Sequence, residues 1–420
     1  MPEASCPSLP WAGQPPQVLS QRCLNARHPA RACRICVDAC PTRAISLPGQ
    51  SSAGGLPVAL DPQACVRCGL CLHVCPTEVF LQPEPPEARL PRVVASAPTP
   101  AVELACPRKS PPELSRVPGA SVVQTPRCLA ALSVPALLEL NTAGKSLWLN
   151  DSVCGTCPIG QVRHAIRENL ATANRWLEVS GKPPALRSYL SSPDGLSPAP
   201  AQRPVLRGDR SVMSRRDFFR SLVGRTEQAP AGPPLALSGA SPVRPVRQRR
   251  QPARGGQRQL PHHVPAQRLR LNQVLSPWLP DPYAAVPTQG LPIAQVDASD
   301  ACTACARCAE LCPSQAITFV SDNDYYVLNF RAGLCLGDAC SLCVMGCPTQ
   351  AVSFGEAVSA DELLGSQPRP LRAGRLVACA RCGTLTHAPA EDEESAPAPL
   401  CHVCRAQDNQ PRPGESLPAG

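Results

Sequence analysis

"CVRCGLCLHVCP", residues 65–76, decides how this chain is organised. Its cysteines, Cys65, Cys68, Cys71 and Cys75, have the spacing C-x2-C-x2-C-x3-C-P. In such a run three close thiolates cap three irons of one [4Fe-4S] cube, and the fourth thiolate reaches the other cluster of a pair. Three sulfurs on one tight loop suit three corners of a cube, with backbone N–H groups turned toward its sulfides. Zinc and disulfides are the competing readings, and the spacing favours neither.

The run is repeated. "CTACARCAELCP" carries the same spacing at Cys302, Cys305, Cys308 and Cys312. "CPTRAIS" at Cys40, "CPTEVFL" at Cys75, "CPSQAIT" at Cys312 and "CPTQAVS" at Cys347 are four copies of one element, an internal repeat of the kind that governs a whole fold. The apolar residues after each Cys-Pro predict a helical turn leading into a short strand. Two copies depart from the pattern. In the first, Ala30 stands where a leading cysteine belongs, so Cys33, Cys36 and Cys40 need another partner, and Cys23 is the nearest thiol. His28 as a ligand and a three-iron cluster are the alternatives there. In the fourth, Gly337 holds the expected position and Cys335 leads, with four residues before Cys340 and then Cys343. Crossed pairing gives four clusters: Cys23, Cys33, Cys36 and Cys75; Cys65, Cys68, Cys71 and Cys40; Cys302, Cys305, Cys308 and Cys347; Cys335, Cys340, Cys343 and Cys312.

These two halves resemble two-cluster bacterial ferredoxins, and the N-terminal one resembles the NapF-type ferredoxins that accompany molybdenum oxidoreductases. The resemblance covers residues 20–85 and 292–356. It implies a compact ferredoxin-like fold in each, so that the chain as a whole is α+β.

Composition sets the frame around them. The chain has 420 residues, 25 cysteines and 53 prolines, with only 3% aromatic residues. Several small units on proline-rich connectors fit better than one large core. CxxC groupings in a chain of this length favour metal or redox chemistry over disulfides. The first 20 residues lack a basic region followed by an apolar one, and no apolar run approaches the roughly 20 residues of a membrane span. The expectation is a soluble, cytoplasmic protein. Residues 1–19 and 409–420 are expected to be a disordered N-terminus and a tail, with Cys6 a spare thiol. Residues 181–292 hold 19 prolines and nine glycines, so 181–291 reads as a disordered linker. No acidic residue occurs between Glu227 and Asp281, while Arg244, Arg247, Arg249, Arg250, Arg254, Arg258, Arg268 and Arg270 crowd that segment. Within it "MSRRDFFRSLVG", residues 213–224, looks like a twin-arginine export signal but lacks the apolar stretch such a signal needs. A short amphipathic helix at 214–224 is expected instead, at a seam between two fused redox units.

Cys106, Cys128, Cys154 and Cys157 lie in a segment, 92–180, that reads as a small α/β domain. "RVVASA", "SVVQ" and "KSLWLN" predict strands, and "SVPALLEL" a helix with Ser133 as N-cap and Pro135 in its first turn. "CGTC" is expected to open a second helix, whose apolar face is Ile159, Val162, Ile166, Leu170, Ala173 and Leu177. A helix N-terminus would favour the Cys154 and Cys157 thiolates. The domain resembles the iron–sulfur delta subunit of methyl-viologen-reducing hydrogenases, which implies a fifth iron–sulfur centre. A redox CxxC, buried thiols and zinc are the alternatives.

Near the C-terminus, Cys379 and Cys382, then Cys401 and Cys404, form two CxxC knuckles in residues 375–408. Their separation suits a four-thiolate zinc ribbon, with rubredoxin-like iron as the redox alternative.

The leading functional expectation is an electron carrier, a polyferredoxin of about four [4Fe-4S] clusters serving a cytoplasmic oxidoreductase of the molybdenum type, such as formate dehydrogenase or nitrate reductase. No catalytic constellation or nucleotide fingerprint is recognisable, so no substrate transformation is expected. The second reading is a maturation factor that docks the apoprotein of such an enzyme. The third is nucleic-acid binding through the arginine tract and the ribbon, although the tract lacks aromatic residues for base stacking.

Overall fold

The computed structural model describes residues 9, 11, 13–28, 31–48, 57–209, 260–322, 324–388 and 399–408. The export-like stretch at 213–224, arginines 244–258 and Cys6 lie outside the described residues.

A five-stranded, wholly parallel sheet forms the centre: β1 (Ala101–Ala105), β2 (Ser121–Gln124), β3 (Ser146–Asn150), β4 (Leu186–Ser188) and β5 (Val205–Arg207), in spatial order β5-β2-β1-β3-β4. Parallel strands need crossover connections, and helices supply two of them here, from β2 to β3 and from β3 to β4. Helix α1 (Val134–Asn141) begins at Ser133, whose side chain accepts the Ala136 N–H, with proline in the first turn. Helix α2 (Arg163–Val179) buries Ile166, Leu170, Ala173 and Leu177 against the sheet, and Ile159 and Val162 continue that face ahead of it.

The sheet extends past the expected domain boundary. Residues 181–209, read above as linker, supply β4 and β5, with Leu186, Ser188 and Tyr189 buried. Proline content signalled a linker, but prolines flank these short strands and leave their ladder bonds intact. "RVVASA" is not a strand: Leu90–Ser96 is a helix with proline at its first turn, burying Leu90, Val93 and Val94. The first strand is "AVELA".

The two cysteine repeats share a local plan. In the first, Gln17–Val18 pairs antiparallel with Phe80–Leu81, and Ile45–Ser46 with Ala59–Leu60. In the second, Gln295–Ala298 pairs antiparallel with Val352–Gly355, and Ile317–Ser321 with Tyr325–Phe330. Residues 17–18, expected to be disordered, are therefore part of the first repeat. Short helices Ile35–Ala39, Cys71–Val74, Arg307–Leu311 and Leu342–Met345 lead toward the four Cys-Pro steps. A proline restricts the residue before it to extended backbone, which ends each helix at or just before its cysteine.

Residues 260–291 of the expected linker are also structured. Helix α3 (Ala266–Leu275) buries Arg268, Leu271, Val274 and Leu275. Arg268 donates to the carbonyls of Gly333 (2.9 Å), Ala332 (2.9 Å) and Pro292 (3.0 Å). Arg270 forks onto Glu139 of α1. Two of the eight arginines that crowd the expected linker thus hold α3 between the sheet domain and the second repeat. Beyond that repeat, Arg369–Ala378 pairs with Tyr325–Phe330 on one side and Leu385–His387 on the other.

Candidate metal centres

Twenty thiols of the sheet domain and repeats stand in fours. Cys36 lies within electrostatic reach of Cys75, Cys23 and Cys33, and these four line one cavity. Cys71 is in reach of Cys68, Cys65 and Cys40, and those four line a second. Cys308 faces Cys305, Cys302 and Cys347 around a third. Cys343 faces Cys335, Cys340 and Cys312. In each repeat one thiol per set is the cysteine of a distant Cys-Pro step.

Backbone geometry repeats with the sequence. Arg43, Glu78, Gln315 and Gln350 all have left-handed φ, at 55°, 48°, 56° and 53°. Each is the third residue after its Cys-Pro cysteine. Ala32, Arg67 and Ala304, each just ahead of a ligand-type cysteine, share that conformation at 46°, 58° and 55°. A side chain in this region costs about 1–2 kcal/mol, so its recurrence marks loops held to one shape. The shape brings N–H groups to sulfur: Ala351 N–H donates to Cys347 Sγ at 3.2 Å and Ile317 N–H to Cys312 Sγ at 3.5 Å. A hydroxyl two residues on adds to this, with Thr42, Thr77, Ser314 and Thr349 lying 3.9, 3.6, 3.8 and 3.7 Å from the sulfurs of Cys40, Cys75, Cys312 and Cys347. The sequence showed these hydroxyls as the fixed third letter of its Cys-Pro-Thr/Ser copies.

Burial is the main influence on the protonation of the bare thiols. Burial first, and then neighbouring thiols, push Cys36, Cys308 and Cys340 up to about 12. Burial also pushes Cys68 and Cys335 up to about 11, against the N–H groups of Leu70 and Gly337. Cys347 goes the other way: burial opposes ionisation, but the Thr349 hydroxyl and the N–H groups of Thr349, Val352 and Ala351 outweigh it. Four soft donors that cannot all ionise beside one another are a set that a cationic core would stabilise. By that criterion the residues present fit iron–sulfur clusters.

Cations whose place at these sets no sequence signal gave stand beside them. Arg127 is 2% exposed, pairs with Glu87 and donates to Gln82 Oε1 at 2.9 Å. It lies in reach of Cys68 and Cys71. Arg268 faces Cys335, and Arg372 faces Cys302. No sequence signal ties an isolated arginine to a loop far away in the chain.

In the sheet domain, Cys106 follows β1 directly, Cys128 lies just beyond β2, and Cys154 and Cys157 lie just beyond β3. They therefore sit outside the carboxyl ends of three adjacent parallel strands, where the strand order reverses around β1, the place where α/β sheets bind ligands. Cys154 is in reach of Cys106 and Cys157, and Cys128 of Cys106 and Cys154. Arg108 Nη1 donates to Cys157 Sγ at 3.6 Å. The expected helix-favoured thiolate is not what the structure has at Cys154. The α-helix proper begins only at Arg163, after 3-10 turns at Ser152–Thr156 and Gly160–Val162. Burial, then the carboxylate of Asp151, pushes Cys154 up to about 12. Beneath the site, fully buried Glu103 accepts from Asn150 Nδ2 at 2.6 Å, Tyr189 OH at 2.5 Å and Lys109 Nζ at 3.2 Å.

At the C-terminal end, the sulfurs of Cys379, Cys382, Cys401 and Cys404 all lie within 4.8 Å of one another. The Cys401 N–H donates to Cys379 Sγ at 3.3 Å; with the Cys382 N–H it holds that thiol down at about 6. Cys379, Cys401 and Cys404 are buried with little besides Leu400, and Cys382 is exposed, so tetrahedral thiolate ligation of a metal would supply most of the cohesion of this set. Thr386 and His387 fasten it to the Cys302–Cys305 loop, donating to the Thr303 carbonyl at 3.2 and 3.3 Å.

Residues 31–79 match the 4Fe-4S dicluster domain family. The match lies within the first repeat, marks it as a ferredoxin-type iron–sulfur segment and indicates at least one [4Fe-4S] cluster there. No curated protein and no solved structure matches the chain. No helix among the described residues is long and apolar enough to cross a membrane.

Proposed function

We propose that this chain is a polyferredoxin. In this reading the four crossed sets of the two repeats hold [4Fe-4S] clusters, the sheet-edge set holds a fifth iron–sulfur centre, and the C-terminal set holds zinc. The observation that carries the reading is the convergence of distant cysteines, Cys75 with Cys23 and Cys347 with Cys302, into fours around small cavities. A bound cluster supplies a one-electron couple. The chain supplies thiolate ligands, N–H and hydroxyl contacts to sulfur, burial and adjacent arginines, all of which set reduction potential.

The partner is an oxidoreductase in the cytoplasm; its molybdenum class rests on the NapF-type resemblance alone. Anaerobic purification with iron, sulfide and zinc analysis, together with electron paramagnetic resonance of the reduced protein, tests the assignment. Four cubes require about 16 irons, and fewer than about 12 in fully loaded protein would refute it. Deletion should leave the partner enzyme synthesised and cofactor-loaded but deprived of electrons. A partner left without its cofactor would favour the maturation role instead.

A further inference from the structure

The two cysteine repeats meet face to face. Leu24 of the first is buried in one apolar cluster with Leu311, Leu336, Cys340 and Leu342 of the second, and Cys33 packs against that cluster. Arg31 crosses the contact, donating from Nε to the Cys340 carbonyl at 3.0 Å and from Nη2 to the Ala339 carbonyl at 2.7 Å. Arg27 donates to the Pro261 carbonyl and lies in reach of Cys312 and Cys340. One thiol from Cys23, Cys33, Cys36 and Cys75 therefore shares a contact with one from Cys312, Cys335, Cys340 and Cys343.

The segment before α3 fastens both sides. His262 Nδ1 lies 2.9 Å from the Cys312 carbonyl, and the His263 N–H donates to the Pro313 carbonyl at 2.7 Å. The His263 ring lies 3.1 Å from Glu78 Oε2, while Glu78 Oε1 accepts the Gln267 N–H at 2.8 Å. Glu78 belongs to the left-handed turn after Cys75. A short stretch of chain thus ties the Cys75 loop of one repeat to the Cys312 loop of the other.

We infer that this contact is an internal docking face, clamped by residues 260–268, that joins the two repeats into one redox unit with its sites in single file. The inference rests on the electron-carrier reading. Its remaining links join neighbouring sites: Cys128 of the sheet-edge set is in electrostatic reach of Cys68, Cys36 of the Cys23 set lines the cavity of the Cys65 set, and Cys343 is in reach of Cys308. The file runs from the sheet edge through the Cys65 and Cys23 sets, across the docking face, to the Cys335 and Cys302 sets. In each exchange one site loses one electron and its neighbour gains it; no bond forms or breaks. A one-electron donor protein and a one-electron acceptor protein, meeting opposite ends of the file, close the balance.

The test uses the full-length, anaerobically purified protein reduced with dithionite. Power saturation of its paramagnetic resonance is compared with that of an Arg27→Glu/Arg31→Glu variant of equal iron and sulfide content. Wild type is expected to relax as one interacting system and the variant as two groups, of three sites and of two, that saturate separately; Arg31→Lys is expected to behave as wild type. Unchanged saturation in the iron-loaded variant overturns the inference while leaving the electron-carrier reading intact. Hydrogen exchange on wild type gives a second measure, independent of any variant. Amides of 24–28 and 336–342 should be protected together, and rapid exchange in both segments overturns the docking face. Wild type that purifies without iron overturns the carrier reading and this inference with it.

Discussion

Substituting Gly69 by alanine probes the tightest point of the Cys65–Cys71 loop. Gly69 has φ of +85°, and a Cβ there would lie 2.6 Å from Arg127 Cζ, 2.7 Å from Arg127 Nε and 2.8 Å from Ala131 Cβ. The left-handed backbone alone costs alanine about 1–2 kcal/mol. Forcing a methyl into a packed site adds about 1–3 kcal/mol, and Arg127 cannot swing aside while it is buried against Glu87 and Gln82. The total expected is about 3–5 kcal/mol at the upper side of these ranges. Gly119 is the internal control: its φ is +64°, but nothing lies within 4 Å of its Cβ position. Gly119→Ala should cost only the backbone share, about 1–2 kcal/mol. Urea unfolding of both variants, followed by circular dichroism and visible absorbance, measures the difference. If Gly69→Ala is no less stable than Gly119→Ala, Arg127 does not pack against this loop and its role as a cation beside the Cys68 set is wrong.

Arg268→Gln removes a buried guanidinium from three carbonyl acceptors and should lower stability by roughly 3 kcal/mol or more, read as a drop in melting temperature; a neutral result would mean α3 is not seated against residues 332–333. Burial holds the Asp151 carboxyl above its ordinary value of 3.8, so the folded state binds this proton more tightly than the unfolded chain does. That contribution is full below the ordinary value and is lost as pH rises through the raised one. Asp151→Asn should therefore be more stable than wild type at neutral pH, with the gap closing on acidification; a gap independent of pH would contradict this origin. Stripping the C-terminal set with a strong zinc chelator should abolish hydrogen-exchange protection at Ala378–His387 while visible absorbance from the other sets persists. Protection that survives complete zinc removal would show that the strands, rather than the metal, hold this end of the chain.

How much was legible follows from the range of each signal. Cysteine spacing is local and chemical, so the sequence could group thiols that the fold brings near one another, Cys23 with Cys33 among them. Ser133 and Pro135 likewise announced α1, and the apolar spacing from Ile159 to Leu177 announced α2. Proline-rich composition misled because it reports an average: it hid the short strands at Leu186–Ser188 and Val205–Arg207 and the ordered α3. Val93 and Val94 suggested a strand, although Pro91 at a helix first turn was the better local cue. Arg127 and Arg268 gave no warning at all, because their acceptors are far away in sequence and only the finished packing brings them near.

The crossed pairing of cysteines has a consequence for how the protein is made. No set in the first repeat is complete from neighbouring residues: Cys23 waits for Cys75, and Cys40 for Cys71, while the sheet-edge set stays open until Cys157 has left the ribosome. At a synthesis rate of roughly 5–20 residues per second, the 52 residues from Cys23 to Cys75 take about 3–10 s. During that interval early thiols stand bare, and any metal or oxidant that reaches them competes with the correct cargo. Translation therefore sets the earliest moment at which a complete set can be offered, and slowing elongation between residues 40 and 75 should raise the share of misloaded protein.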